Sequence, residues 1–265
     1  MSRQSGGRAT ARGAFDAAEL IHPVLLCGRS AGTLLHGFGD PIVVCSETQS
    51  PLVLEQLLRA GTPPKAVLLE PGPRGTAPAL TLAAVHAVTA DDPLLLVLPS
   101  NQPIGNGDAW QGAVERAAKL ARRGALVAFG IAPTAPLTGY GYIRARADYV
   151  DAFVARPDTA TAKAWFDSGK CLWNSGIYAL RASAWLEALG GLRPDIFRAC
   201  ERAYRNGKSE GAFVRVDAAA FGACPAESID RAVMERIAGD SSTLDAMVVR
   251  LDAGWSGAGR LADAA

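Results

Sequence analysis

Three polar residues in a row, Ser100-Asn101-Gln102, stand directly behind the apolar run Leu94–Leu98 and the stop at Pro99. All three can hydrogen-bond a ligand. The run ahead of them is too short for a buried helix and reads as a strand buried on both faces, as in the middle of a parallel sheet. Such sheets bind ligands just beyond the carboxyl ends of their strands, which places these side chains at a site. A second chemical pattern, Gly28-Arg29-Ser30-Ala31-Gly32, fits G-x-S-x-G behind a strand, with Asp40 and His86 following in the order acid, base. That is the pattern of a serine-hydrolase nucleophile elbow. It is short, however, and such elbows follow several strands rather than opening the sheet.

The elements that must carry these residues come in a regular series. Pro23–Cys27, Ile42–Cys45, Ala66–Leu69, Leu94–Leu98 and Ala125–Phe129 each read as a short buried strand. Leu52–Ala60, Ala77–Thr89 and Asp108–Arg123 read as the helices between them. Strand and helix in alternation predict an α/β fold with a doubly wound, mostly parallel central sheet. Past Ile131 a Pro/Gly/Tyr-rich loop leads into strands Tyr142–Ala145 and Tyr149–Val154. Helices follow at Thr161–Ser168, Ser183–Ala188 and Ile196–Asn206. The expected organisation is a tail over 1–20 and one domain over 21–265, with a first half to 132 and an α+β second half from 133.

Charge is nearly balanced, with 27 Lys+Arg against 26 Asp+Glu. That speaks against a nucleic-acid or membrane-surface partner. No apolar run approaches the ~20 residues of a membrane helix. The 5 cysteines are scattered without a C-x-x-C pair, which fits a reducing compartment such as the cytoplasm.

Motif content becomes specific at Glu70-Pro71-Gly72-Pro73-Arg74-Gly75-Thr76-Ala77-Pro78-Ala79. It continues through Phe129-Gly130-Ile131, Thr138-Gly139-Tyr140-Gly141-Tyr142-Ile143, Phe153-Val154 and Leu172-Trp173-Asn174-Ser175-Gly176. Later come Cys224-Pro225, Glu227-Ser228-Ile229-Asp230, Ala232-Val233-Met234-Glu235 and Leu251-Asp252-Ala253-Gly254-Trp255-Ser256. In this order the chain resembles the bacterial mannose-1-phosphate guanylyltransferases, within the sugar nucleotidyltransferase superfamily. The resemblance implies a Rossmann-like nucleotidyltransferase fold, GTP and mannose 1-phosphate as substrates, GDP-mannose as product and Mg2+ as cofactor. It implies a nucleotide side at Gly28, Gly32, Thr33, Glu70, Arg74, Thr76 and Asn101, and a sugar side at Gly141, Tyr142, Asn174 and Asp230. From the residues alone, Asn174 could equally serve a turn, Tyr142 the core, Asp230 a helix cap, and Glu70 with Arg74 a salt-bridged loop.

The chain departs from the family where phosphoryl transfer is done. The phosphate loop, G-G-x-G-T-R in such proteins, reads Gly28-Arg29-Ser30-Ala31-Gly32-Thr33-Leu34, without its arginine. The lysine and helix that should follow are missing. Only thirteen residues, 28–40, join the first two strands, near the lower limit of ~10–12 for a parallel crossover. Asn101 stands where a metal-binding Asp belongs, and Gly257 where a second one does. Magnesium prefers charged oxygens, so Asn101 is a weak metal position. Ala155 and Arg156 replace an acid and a lysine, and Arg29 and Arg156 are either substitute phosphate cations or solvated. The expectation is a guanylyltransferase-like chain with activity reduced or lost. The alternative is a non-catalytic sugar-nucleotide-binding regulator or decayed paralogue, acting as a homo-oligomer or beside an active paralogue. Because the chain ends soon after Trp255-Ser256, no phosphomannose isomerase domain is expected behind it.

Overall fold

The computed structural model describes residues 24–27, 39–88, 92–99, 102, 104–239 and 244–255, the first four by their backbone alone. In chain order the first half runs β1 (Val24–Cys27), β2 (Pro41–Ser46), α1 (Ser50–Arg59), β3 (Ala66–Glu70), α2 (Thr76–Ala87), β4 (Leu94–Pro99), α3 (Gly107–Ala121) and β5 (Leu126–Ile131). The second half runs β6 (Tyr142–Arg146), β7 (Tyr149–Val154), α4 (Thr159–Asp167), β8 (Cys171–Arg181), α5 (Ala182–Leu192), α6 (Pro194–Arg205), β9 (Lys208–Glu210), β10 (Phe213–Arg215) and α7 (Ala218–Gly222). A π-helical turn, Asp230–Met234, and β11 (Ala246–Arg250) complete it.

The α/β class and the Rossmann-like core are as expected, while strand pairing is more mixed than a mostly parallel sheet. The strands form one sheet in the order β5-β11-β7-β6-β8-β4-β1-β2-β3-β10-β9, with β5 also paired to β8. Among the described residues parallel pairing is confined to β2–β3, β3–β10 and β5–β11. β4, whose buried run suggested a parallel neighbourhood, is antiparallel to both β1 and β8. Burial on both faces, rather than parallel pairing, is what makes its sequence apolar.

The short first connection explains the reversal of β1. Antiparallel neighbours can be joined by a short loop, whereas a parallel pair needs a long crossover. With 13 residues to spend, β1 turns back onto β2, pairing Cys27 with Pro41 and Val24 with Val44. β2, β3, β4 and β5 still all point one way, because β1 separates β2 from β4 and β8 separates β4 from β5. Their carboxyl ends, Ser46, Glu70, Pro99 and Ile131, therefore share one edge of the sheet. At the far end the pairings β8–β5, β5–β11, β11–β7, β7–β6 and β6–β8 form a closed circuit.

Helix α2 (TAPALTLAAVHA) is apolar nearly all round and buries nine of its residues between the sheet and helices α5 and α6. That is the behaviour expected of a helix without a polar face. Leu80 and Leu82 are fully buried, each worth about 1.5–3 kcal/mol relative to exposure. Its lone polar core residue, Thr81, donates to Ala77 O at 2.7 Å and accepts the indole N–H of buried Trp185 at 3.0 Å. Helix α6 is amphipathic, burying Ile196, Ala199, Cys200 and Ala203 at the i, i+3, i+4, i+7 spacing of one face.

Candidate functional site

The shared carboxyl edge collects the loops behind β3, β4 and β5, the start of β8 and the segment behind β11. β8 reaches it with an irregularity, since its register against β5 shifts between Ala128 and Gly130. At that point Asn174 Oδ1 accepts Gly176 N–H at 3.1 Å, and Gly176 takes φ +78. This is the turn chemistry expected of Asn-Ser-Gly, set inside a strand as a bulge that re-aims a side chain. The Asn174 amide is aimed by it at two partners. Nδ2 donates to the Tyr178 hydroxyl at 2.8 Å and to Asp230 Oδ1 at 3.1 Å. The Tyr178 hydroxyl donates to the same carboxylate oxygen. Asn174 is 4% exposed, with both ends of its amide engaged inside the protein.

Asp230 opens the π-helical turn but does not cap it. Its carboxylate meets Asn174 and Tyr178, while Ser228 Oγ accepts Arg231 N–H at 3.2 Å. Beside it, Gly141 O accepts the backbone N–H of Asn174 at 2.8 Å. Tyr142 is fully buried, its ring edge-on to Trp165 at 6.3 Å, and its hydroxyl has no hydrogen-bond partner of ordinary geometry. Burial raises its phenol pKa. Tyr140 stacks on Trp173 at 4.8 Å and meets Trp255 edge-on at 5.7 Å. These aromatics form the packed floor under Gly141, so the core reading of Tyr140 and Tyr142 matches their surroundings.

The loop behind β3 lies against the chain leading into Asp230. Glu227 N–H donates to Arg74 O at 3.0 Å, Ala77 N–H to Glu227 O at 3.1 Å, and Ile229 N–H to Thr76 Oγ1 at 3.0 Å. Gly75 takes φ +84, and a Cβ there would run into the Glu227 carbonyl. Glycine thus lets the two backbones touch. Arg74 donates to Gly222 O at 2.5 Å, and the backbone N–H of Arg74 donates to the Glu70 carboxylate. The alternative reading of Glu70 and Arg74 as a salt-bridged loop is not met, since Arg74 reaches Gly222 O instead. Burial pushes the Glu70 carboxyl up to about 7, partly offset by that backbone N–H. Arg193 adds a clamp, bonding Glu227 at 3.3 Å and Asp195 at 2.8 Å.

Behind β4, Gln102 Nε2 donates to Ser175 O at 2.6 Å and Oε1 accepts the Trp255 indole N–H at 2.9 Å. Gly105 and Asn106 N–H groups both donate to Ala253 O, at 2.8 and 2.9 Å. The loop behind β4, the bulge of β8 and the segment behind β11 are so held as one unit.

Of the sequence-predicted site residues, Glu70, Arg74, Thr76, Gly141, Tyr142, Asn174 and Asp230 are brought to this edge. Gly28, Arg29, Ser30, Gly32, Thr33, Asn101 and Gly257 lie outside the described residues. The strand ends that bracket residues 28–40 are described. Cys27 pairs with Pro41, the first residue of β2, so that connection leaves and rejoins the sheet at the amino end of β2. A phosphate loop would be expected to leave β1 at the carboxyl edge. Arg156 is exposed behind β7. For the serine-hydrolase alternative, His86 Nδ1 pairs with the Tyr204 hydroxyl at 2.9 Å rather than with an acid. Sequence reasoning missed Tyr178, Arg193 and the linking role of Gln102. Glu227 stood inside a quoted motif without a role.

A magnesium ion held for triphosphate chemistry needs charged oxygens. By type, the positions expected to hold a metal offer the Asn101 amide and no side chain at Gly257. Among the described residues no group of three or more His, Cys, Asp or Glu side chains is placed to hold a metal. This donor set is a poor fit to Mg2+. Nor is any helix among the described residues long and apolar enough to cross a membrane.

Comparison with known proteins gives this edge a context. The profile of the nucleotidyl transferase family matches residues 28–263. The xanthan biosynthesis protein XanB of Xanthomonas campestris is 48% identical over 236 residues, covering 87% of this chain and 49% of XanB. The mannose-1-phosphate guanylyltransferase ManC of Salmonella typhimurium is 46% identical over 83% of this chain and 47% of its own length. The chain thus spans about half the length of the curated relatives it matches. Among solved structures, the mannose-6-phosphate isomerase of Helicobacter pylori superposes with a TM-score of 0.75 at 29% identity, covering 83% of this chain and 85% of that one.

Proposed function

This chain belongs to the nucleotidyl transferase family, and from that premise we propose a guanylyltransferase-type site for GTP and mannose 1-phosphate, with its sugar side kept and its nucleotidyl transfer reduced. In that reaction the phosphate oxygen of mannose 1-phosphate attacks the α-phosphorus of GTP, GDP-mannose forms and pyrophosphate leaves. The observation that carries the reading is the buried Asn174–Tyr178–Asp230 cluster, joined through residues 227–229 to the loop at Arg74–Thr76. In this reading Asp230 faces the sugar hydroxyls. Asn174 and Tyr178 are positioning residues that fix its carboxylate. Gly141 lines the same side over the aromatic floor to which Tyr142 belongs. Glu70, Arg74 and Thr76 form the nucleotide side at the start of α2, where the helix dipole favours phosphate.

Reduced transfer follows from what must neutralise the triphosphate. The loss of one electrostatic stabiliser typically costs about 10²–10³ in rate. Here Asn101 and Gly257 replace carboxylates, and the phosphate-loop arginine and following lysine are absent from the sequence. Magnesium, when bound, would offset phosphate charge. A cytoplasmic setting goes with the scattered thiols, the four described ones being free. If the chain acts through binding alone, its partner would be another copy or an active paralogue.

Two measurements test this together. Single-turnover assays with protein in excess over labelled GTP, plus mannose 1-phosphate and magnesium, read transfer. Thermal shift with GDP-mannose reads binding, because a ligand of the folded state raises stability with concentration. The expected result is a concentration-dependent rise in Tm with product formation at least about 10²-fold slower than in an intact relative. Turnover at the relative's rate would overturn the loss of transfer. A flat Tm up to millimolar GDP-mannose would overturn the retained sugar side.

A further inference from the structure

A cleft of about 390 Å3 opens away from this edge, along the outer side of β11. β7 pairs with β11 only at Met247–Tyr149, so residues 248–250 have no strand neighbour on that side among the described residues. The cleft is lined by Arg116, Lys119 and Arg123 from α3 and its end, by Lys170 ahead of β8 and by Arg250, against one carboxylate, Asp148. Arg116 and Lys119 stand three apart on one face of α3, and Arg123 follows in the turn behind it. None of the five cations has an ion-pair partner among the described residues, whereas Arg144, Arg181, Arg193 and Arg215 all do. In a chain whose net charge is +1, five cations around one hollow are a local concentration and not a reflection of composition. Concave walls focus such a field and draw in anions.

We propose that this cleft is a second ligand site, for a diphosphate group either free or carried by a nucleoside. The forked arginines suit paired phosphate oxygens, and the lysines add point charge. Leu172 and Val248 supply an apolar floor for a nucleoside. The cleft is separate from the carboxyl-edge site yet adjoins it. Arg250, Gly130 and Asn174 lie side by side across β11, β5 and β8, roughly 10 Å from first to last at the usual strand spacing. Three residues past Arg250, Ala253 begins the contacts that hold the loop behind β4.

The test is calorimetric titration of the whole chain with inorganic pyrophosphate and, separately, with ADP. Wild-type protein should bind at least one of them in a salt-dependent way. The double variant Lys119→Glu, Arg123→Glu should bind at least about tenfold more weakly. Tighter binding of ADP than of pyrophosphate would assign a nucleoside-borne diphosphate, and the reverse a free one. A second readout needs no variant: bound ligand should protect Lys119 and Lys170 from amine-labelling reagent, with Lys208 labelled as before. No binding at millimolar ligand or equal affinity in the double variant would overturn the proposal, as would unprotected Lys119 and Lys170.

Discussion

Replacing Gln102 by Ala removes the side chain that joins three segments of the carboxyl edge. Two hydrogen bonds go with it, Gln102 Nε2 to Ser175 O at 2.6 Å and Trp255 Nε1 to Gln102 Oε1 at 2.9 Å. A typical intramolecular hydrogen bond contributes ~0.5–1.5 kcal/mol net. Both lie in part-buried surroundings, where water replaces some of what is lost, so the expected cost is about 1–2 kcal/mol. Gly105 and Asn106 remain tied to Ala253, so the loss should act first as local opening of that clasp and not as global unfolding. At 1–2 kcal/mol, amide exchange at residues 104–106 should accelerate roughly 5- to 30-fold. Hydrogen exchange read by mass spectrometry on peptides covering 104–110 and 247–255 measures this directly. Peptides from α2 serve as the internal reference and should keep their protection. Unchanged exchange at 104–106 would refute the idea that Gln102 holds the edge together, whatever happened to Tm.

Other expectations follow from the same contacts. Asp230→Ala leaves the Asn174 amide and the Tyr178 hydroxyl without their common acceptor. It should cost about 1–3 kcal/mol in urea denaturation and abolish the thermal shift by GDP-mannose. A normal shift would remove Asp230 from the sugar side. Glu70 carries a folded-state pKa raised from 4.5 to about 7, so between those values the folded protein binds more protons than the unfolded chain. Stability from this group is therefore full below about pH 4.5 and falls as pH rises towards 7, by on the order of 3 kcal/mol. Glu70→Gln should flatten that fall and be the more stable protein at pH 8, and denaturation curves at pH 5 and 8 that differ equally in both proteins would contradict it. Thr81→Val strands the buried Trp185 indole N–H and should lower stability by about 1–3 kcal/mol. A change below 0.5 kcal/mol would mean the indole finds another acceptor.

The elements buried on both faces were the legible ones. β2, β3, β4 and β5 announced themselves because a strand covered on both sides has no polar alternation to blur it. β8 did not, since Asn174-Ser175-Gly176 reads as a turn, and only the bulge in the folded strand accommodates it. The direction of β1 was half legible. The connection to β2 was visibly too short for a comfortable crossover, but only the pairing of Cys27 with Pro41 shows the strand turned round. At the site, Asn174 and Asp230 were found through motif, and the structure adds why they belong together. Tyr178 escaped because residues four apart on a regular strand share a face but stand about 13 Å apart, too far for a hydrogen bond unless a bulge intervenes. Arg193 next to Asp195 reads as an ordinary local pair, because the other carboxylate it clamps, Glu227, lies 34 residues away.

Among the described residues the closed circuit at one end of the sheet leaves as strand edge there the short stretch 248–250, where Val248 N–H already donates to Asp148 O. The other end terminates in β9, three exposed residues, Lys208-Ser209-Glu210, flanked by the Arg215 pairs to Glu210 and Glu47. A short charged terminal strand is a poor template for another chain's backbone. Copies of this protein are thereby discouraged from stacking sheet to sheet, which guards a chain so rich in apolar strands against aggregation.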